Sequence, residues 1–319
     1  MLKSFCVRLF AFTMLATFMP FGRAAAATNV LNWLPAGYRA PALGPRIVDG
    51  PRATFVRLFA QRSAATLTAS HFNFPYAVAT DGAGDVYVTN AAGNSVLKID
   101  QSTLQVDPSF KLTHGLADPV SLAVDTAGDI YAGNYNGGVL KFDASGVYTS
   151  TAVTNAGNPF GIVTDDFQDL FIIATTGGVA VDDATGASIF NSMYTGGSKL
   201  YSVTVGGPEV YAFSADAAAL GNGSVALRKG LFTLLVTGLG SKEPVGSACI
   251  TRYCWWGDAL NKTISFGKMG GTFSQLAISY APAGIAYDGL HGRLFVADPV
   301  HNAIQLYNAS TLAFVKTIQ

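Results

Sequence analysis

Residues 74–100, FPYAVATDGAGDVYVTNAAGNSVLKID, set the architecture of the chain. A leading proline is followed by a short apolar run, a Gly/Asp turn, a second run, an Asn/Gly loop and a third run. Apolar runs of this length between Gly, Asp and Asn turns read as antiparallel strands. The chain then repeats the formula. A second copy starts at Asp118 (DPVSLAVDTAGDIYAGNYNGGVLKFD) and a third at Asn158 (NPFGIVTDDFQDLFIIATTGGVAVDD). Weaker copies start at Leu200 and Glu243, and a sixth, from Ala281, closes the chain. The starts lie roughly 40 residues apart with four short strands in each unit, which is the signature of a β-propeller blade. One unit cannot bury both its faces; copies packed around an axis can. The expected fold class is therefore all-β, a six-bladed β-propeller of four-stranded antiparallel blades. A seventh blade built from residues 45–70 stays open.

Around this core the chain divides into three parts. Residues 1–27 read as a signal peptide: Lys3 and Arg8, an apolar stretch from Leu9 to Phe21, then small residues from Ala24 to Ala27. Residues 28–52 read as an extended lead-in, rich in Pro, Gly and Ala. The propeller takes residues 53–319, with strands at Thr54–Ala60 and Ala64–Ser70 that either complete a sheet begun at the far end or lie beside it. Only 13% of the chain is charged and the formal net charge is zero, without a basic block. These features argue against a nucleic-acid partner. No run after the signal reaches transmembrane length, so no membrane association is expected after cleavage, and the localisation is secreted or periplasmic. The protein is expected to be a monomer. Two of the three cysteines, Cys249 and Cys254, survive cleavage; in an oxidising compartment they read as a disulfide, with two buried thiols as the alternative.

The formula P-x-G-hydrophobic-Ala-x-Asp, then Gly-Asp-hydrophobic-Tyr/Phe-Val-x-Asp/Asn, then Asn and a strand ending in Asp or Asn resembles the NHL repeat. Pro75–Asp81, Asp85–Asn90 and Asn94–Asp100 carry the resemblance in the first copy. Pro119–Asp125, Asp129–Asn134 and Val139–Asp143 carry it in the second, and Pro282–Asp288, Arg293–Asp298 and Asn302–Asn308 in the sixth. Relatives of this repeat include gluconolactonase-like hydrolases, lyases and binding scaffolds, so the resemblance implies fold more than activity. The recurring aspartates and asparagines read first as turn-formers that cap backbone N–H groups.

By analogy with propellers, the loops leading into the inner strands and the loops joining second to third strands share one face, the channel mouth. The candidate ligand-binding residues there are Tyr76, Tyr135, Phe160, Tyr201 and His301. Gluconolactonase-like relatives hold a divalent ion with oxygen ligands directly before the P-x-G glycine, where this chain has Tyr76, Val120, Phe160, Val245 and Ala283. No cofactor is therefore expected. A displaced cation site at Asp118, Asn158 and Glu243, each directly before a leading proline, is the remaining metal candidate. No Gly-x-Ser-x-Gly, HExxH or phosphate-loop motif occurs, and catalytic residues are unknown. The expected function is ligand binding or protein interaction, with a protein, carbohydrate or small-molecule partner. A metal-dependent lactone hydrolase or a lyase is the alternative.

Overall fold

In a computed structural model of the chain, the described residues are 51–61, 70–154, 156, 158–164, 170–173, 179–182, 188–192, 200–206, 209–214, 224–228, 231–236, 241–251, 253–268 and 271–319. They form an all-β propeller of four-stranded antiparallel blades. The first sheet holds β1 (Pro75–Thr80), β2 (Val86–Asn90), β3 (Ser95–Asp100) and β4 (Gln105–Leu112), paired in sequence order. The numbering continues with four strands to a sheet. The inner strands are β5 (Pro119–Val124), β9 (Gly161–Thr164), β13 (Leu200–Gly206), β17 (Pro244–Ile250) and β21 (Ile285–Asp288). The described residues give six such sheets. Each inner strand lies against the next, and β21 lies against β1, so the ring closes.

Burial follows from this stacking. β2 is buried along its whole length because neighbouring blades cover both faces, whereas β4 alternates toward solvent at the rim. The inner strands crowd the axis, and small residues make that possible. A Cβ on Gly246 would lie 2.1 Å from the Ala283 carbonyl oxygen, and one on Gly284 would lie 2.7 Å from the Ala77 Cα. The P-x-G glycine is thus a close-approach residue. What the axis leaves open is a channel of about 280 Å³ lined by Ala77, Ser121, Gly161, Ser202 and Gly246 from five inner strands and by Gly284 just before the sixth.

The repeating polar residues stitch the turns. Asp81 Oδ1 accepts from the N–H groups of Ala83 and Asp85, and Asp125 repeats this with Ala127 and Asp129. Lys98 pairs with Asp85, and Lys141 with Asp129, at 2.6 and 2.7 Å. At the other end, Asn134 Oδ1 takes the Ala117 N–H, and Asp258 takes those of Lys242 and Glu243. Asparagines also join blade to blade. Asn94 Oδ1 accepts the Asp118 N–H at 2.8 Å, and Asn302 Oδ1 accepts the Phe74 N–H at 2.8 Å across the ring closure.

Two expectations fail before β1. Residues 51–61 form one α-helix, α1 (Pro51–Gln61), so Thr54–Ala60 is not a strand and does not supply a seventh blade. Pro51 and Arg52, expected in the extended lead-in, are helical as well. Thr, Val and Phe favour strands locally, but Phe55, Leu58 and Phe59 fall on one helical face and are held by the sheet ends they meet. The signal peptide expected at residues 1–27, residues 28–50 and the strand expected at Ala64–Ser70, apart from Ser70 itself, lie outside the described residues.

Candidate functional site

The residue after each leading proline, and after Leu200 in the fourth copy, lies at or just before the start of an inner strand. Tyr76, Val120, Phe160, Tyr201, Val245 and Ala283 are all buried and belong to a single apolar cluster. Together they make an apolar layer. Ala91 and Ala259, which follow the second strands of their blades, extend the cluster outward, and Tyr135, at the equivalent place in the second blade, packs against it. The Tyr76 phenol is held far above its ordinary pKa, first by burial and then by the neighbouring Glu243 charge. It stays neutral and acts as a ring with a polar edge.

Helix α1 covers this layer. Phe55 and Leu58 are 4% and 0% exposed. The Phe55 ring stacks on Tyr135 (centroids 5.0 Å, planes 20° apart) and meets Tyr76 and Phe74 edge-on at 5.1 and 5.4 Å. Phe160 completes the cage at 6.2 Å, and Phe59 packs edge-on against Phe74. Burying Phe55 and Leu58 stabilises the docked helix by about 1.5–3 kcal/mol each. Polar contacts frame the apolar ones. Arg57 forms an ion pair with Glu243, whose side chain is 15% exposed. Arg52 donates to the Tyr135 hydroxyl at 2.9 Å and lies over its ring.

Four of the candidate residues, Tyr76, Tyr135, Phe160 and Tyr201, are thus gathered at one place, three of them in direct ring contact with Phe55. His301, in the loop that follows residues 293–298, is anchored to Asp298. Its Nδ1 lies 2.9 Å from Asp298 Oδ2, and its side chain is 54% exposed. Asp298 is buried, and burial raises its pKa although His301 and Gln305 pull the other way. Of the displaced cation candidates, Glu243 is taken by Arg57, and Asn158 Oδ1 accepts the Asn136 N–H at 2.6 Å. Asp118 is engaged through its backbone, its N–H by Asn94 and its carbonyl by Tyr135. Among the described residues no group of three or more His, Cys, Asp or Glu side chains is arranged to hold a metal ion. Cys249 and Cys254 pair across the β17 hairpin as a disulfide, with Cα atoms 4.1 Å apart.

Sequence reasoning missed Phe55 and Arg57. Their signal was present in PRATFVRLFAQ: proline at the first helical position and apolar residues at i, i+3 and i+4.

No family model and no curated protein sequence matches the chain. Solved structures do. A streptogramin B lyase superposes with a TM-score of 0.58 at 16% identity, covering 79% of this chain and 84% of the other. A catalytically inactive variant of virginiamycin B lyase from Staphylococcus aureus, with quinupristin, gives 0.57 at 16% identity over 78% and 85%. The Kuenenia stuttgartiensis hydrazine synthase gives 0.54 at 14% identity over 77% and 80%. At these identities the likeness shows the propeller fold alone.

Proposed function

We propose that this protein is an NHL-like, six-bladed propeller that works by binding at its channel mouth. The observation that carries the reading is the cage of Phe74, Tyr76, Tyr135 and Phe160 closed around the side chain of Phe55. A mouth that seats an aromatic ring on several faces, with a partly buried carboxylate beside it, is built as a receptor. Six sheets in a closed ring support a count of six blades, and a helix at 51–61 leaves no strand there for a seventh. The Cys249–Cys254 bond and the N-terminal pattern of residues 1–27 favour an exported protein.

The test empties the cage. In the full chain Phe55→Ala removes the resident ring, and saturation-transfer NMR with indole and benzylamine reads whether small aromatics enter. Signal is expected with Phe55→Ala, with loss when Tyr135→Ala is added. A folded Phe55→Ala protein that binds neither probe contradicts the reading. An enzyme of lyase or lactonase type is the second reading. It draws on the buried Asp298 that holds His301, and on the fold shared with lyases.

A further inference from the structure

We propose that the mouth takes an aromatic–basic peptide segment of a partner protein, and that α1 is a built-in competitor for that place. This rests on the mouth-binding reading above and adds the chemical class of the ligand. Three anchor points define the class. The cage takes a ring, now that of Phe55. The apolar layer takes an aliphatic side chain, now Leu58, which is fully buried. Glu243 takes a cation, now Arg57. Glu243 is one of only two glutamates in the chain, and a largely buried carboxylate needs a cationic partner. A ring, an aliphatic group and a cation within one helical turn describe a peptide rather than a small aromatic molecule.

The fit of α1 to this place is imperfect. The Thr54 hydroxyl, on the residue before Phe55, is fully buried and finds no hydrogen-bond partner among the described residues. The helix has 11 residues, with no acidic side chain in its first turn and no basic one in its last. Such a helix is marginal by itself, so ordering it consumes part of its docking energy. A partner segment without a hydroxyl at the Thr54 position avoids one of these costs and can displace it.

The experiment uses the full chain and labelled peptides, read by fluorescence anisotropy. The parent peptide is PRATFVRLFAQ, and two further peptides carry Phe55→Ala or Arg57→Gln. The Phe55→Ala chain is expected to bind the parent peptide at least about tenfold tighter than the wild-type chain does, because its own helix competes less. It should bind the Arg57→Gln peptide about tenfold more weakly than the parent, and adding Glu243→Gln to the chain should abolish that difference. If the Phe55→Ala chain takes up indole but binds the parent, Phe55→Ala and Arg57→Gln peptides equally, the peptide class is wrong while mouth binding stands. If it binds neither indole nor peptide, mouth binding itself falls. Arg57→Gln in the full chain guards against a misfolded Phe55→Ala, since it leaves the rings in place. It should bind the parent peptide more tightly than wild type, and equal binding overturns the proposal.

Discussion

Asp100 turns its carboxylate onto the residues that follow β3, where the Ser102 hydroxyl and the N–H and hydroxyl of Thr103 donate to it. These bonds, that of Ser102 foremost, lower its pKa from 3.8 to about 2. A depressed carboxyl contributes stability above its unfolded pKa and loses it as pH falls through the folded value. The melting-temperature advantage of wild type over Asp100→Ala should therefore hold above about pH 4 and shrink as pH falls toward about 2. Asp298 carries the opposite sign. Burial raises its pKa, so the folded state holds that proton more tightly and ionisation costs stability as pH rises. Wild type should lose ground to Asp298→Asn as pH climbs past the ordinary aspartate value of about 4. A pH-independent difference in either pair contradicts the assignment. The periodic spacing of the aspartates made their turn-forming role legible in the sequence, because the same Asp-x-x-x-Asp contacts recur at Asp81 and Asp125. The difference between Asp100 and Asp298 was not legible, since burial at a strand end depends on the neighbouring blade.

Among the elements, strand and helix were unequally readable. The inner strands announced themselves through P-x-G and an apolar run, and Tyr76, Phe160 and Tyr201 were placed together by that register alone. Helix α1 was misread. Its residues FVRLFA favour a strand by intrinsic preference, and what makes them helical is a surface contributed by residues 74–283 of the same chain. Trp255 and Trp256 make a related point. Both are buried, Trp255 stacked on Phe266 and on Tyr287 of the last sheet, Trp256 against Phe273 on the opposite face. Alternation along one strand sends the two rings to opposite faces, and a blade between two others buries both. The gathering of Tyr76, Tyr135, Phe160 and Tyr201 at one place was legible. That it already holds a ring was not, because its occupant lies outside the repeats.

Across the whole molecule, the ring closes without exchanging a strand: β1–β4 form the first sheet, and the last four strands (residues 285–318) form the sixth. The seam is held by packing and by a few directed bonds. Phe74 N–H donates to Asn302 Oδ1, Ser70 donates to the Asn302 carbonyl at 2.6 Å, and Arg293 reaches the Gln101 carbonyl at 2.8 Å. Asn302 is fully buried with φ +53°, a left-handed backbone that asparagine tolerates better than alanine. Asn302→Ala should destabilise the protein by about 2–4 kcal/mol, adding an orphaned N–H to backbone strain. Denaturant unfolding measures the loss, and a change under about 0.5 kcal/mol would show the seam does not depend on this bond.

The seating of α1 in the mouth underlies both the binding reading and the competitor role, and hydrogen–deuterium exchange of the full chain reads it out. In wild type the α1 amides from Phe55 to Gln61 should be protected, since an isolated helix of this length would exchange freely. In Phe55→Ala that protection should collapse, while β2, β6 (Ile130–Asn134) and β22 (Arg293–Asp298) keep theirs. Rapid exchange throughout α1 in the wild-type protein would contradict this placement of the helix.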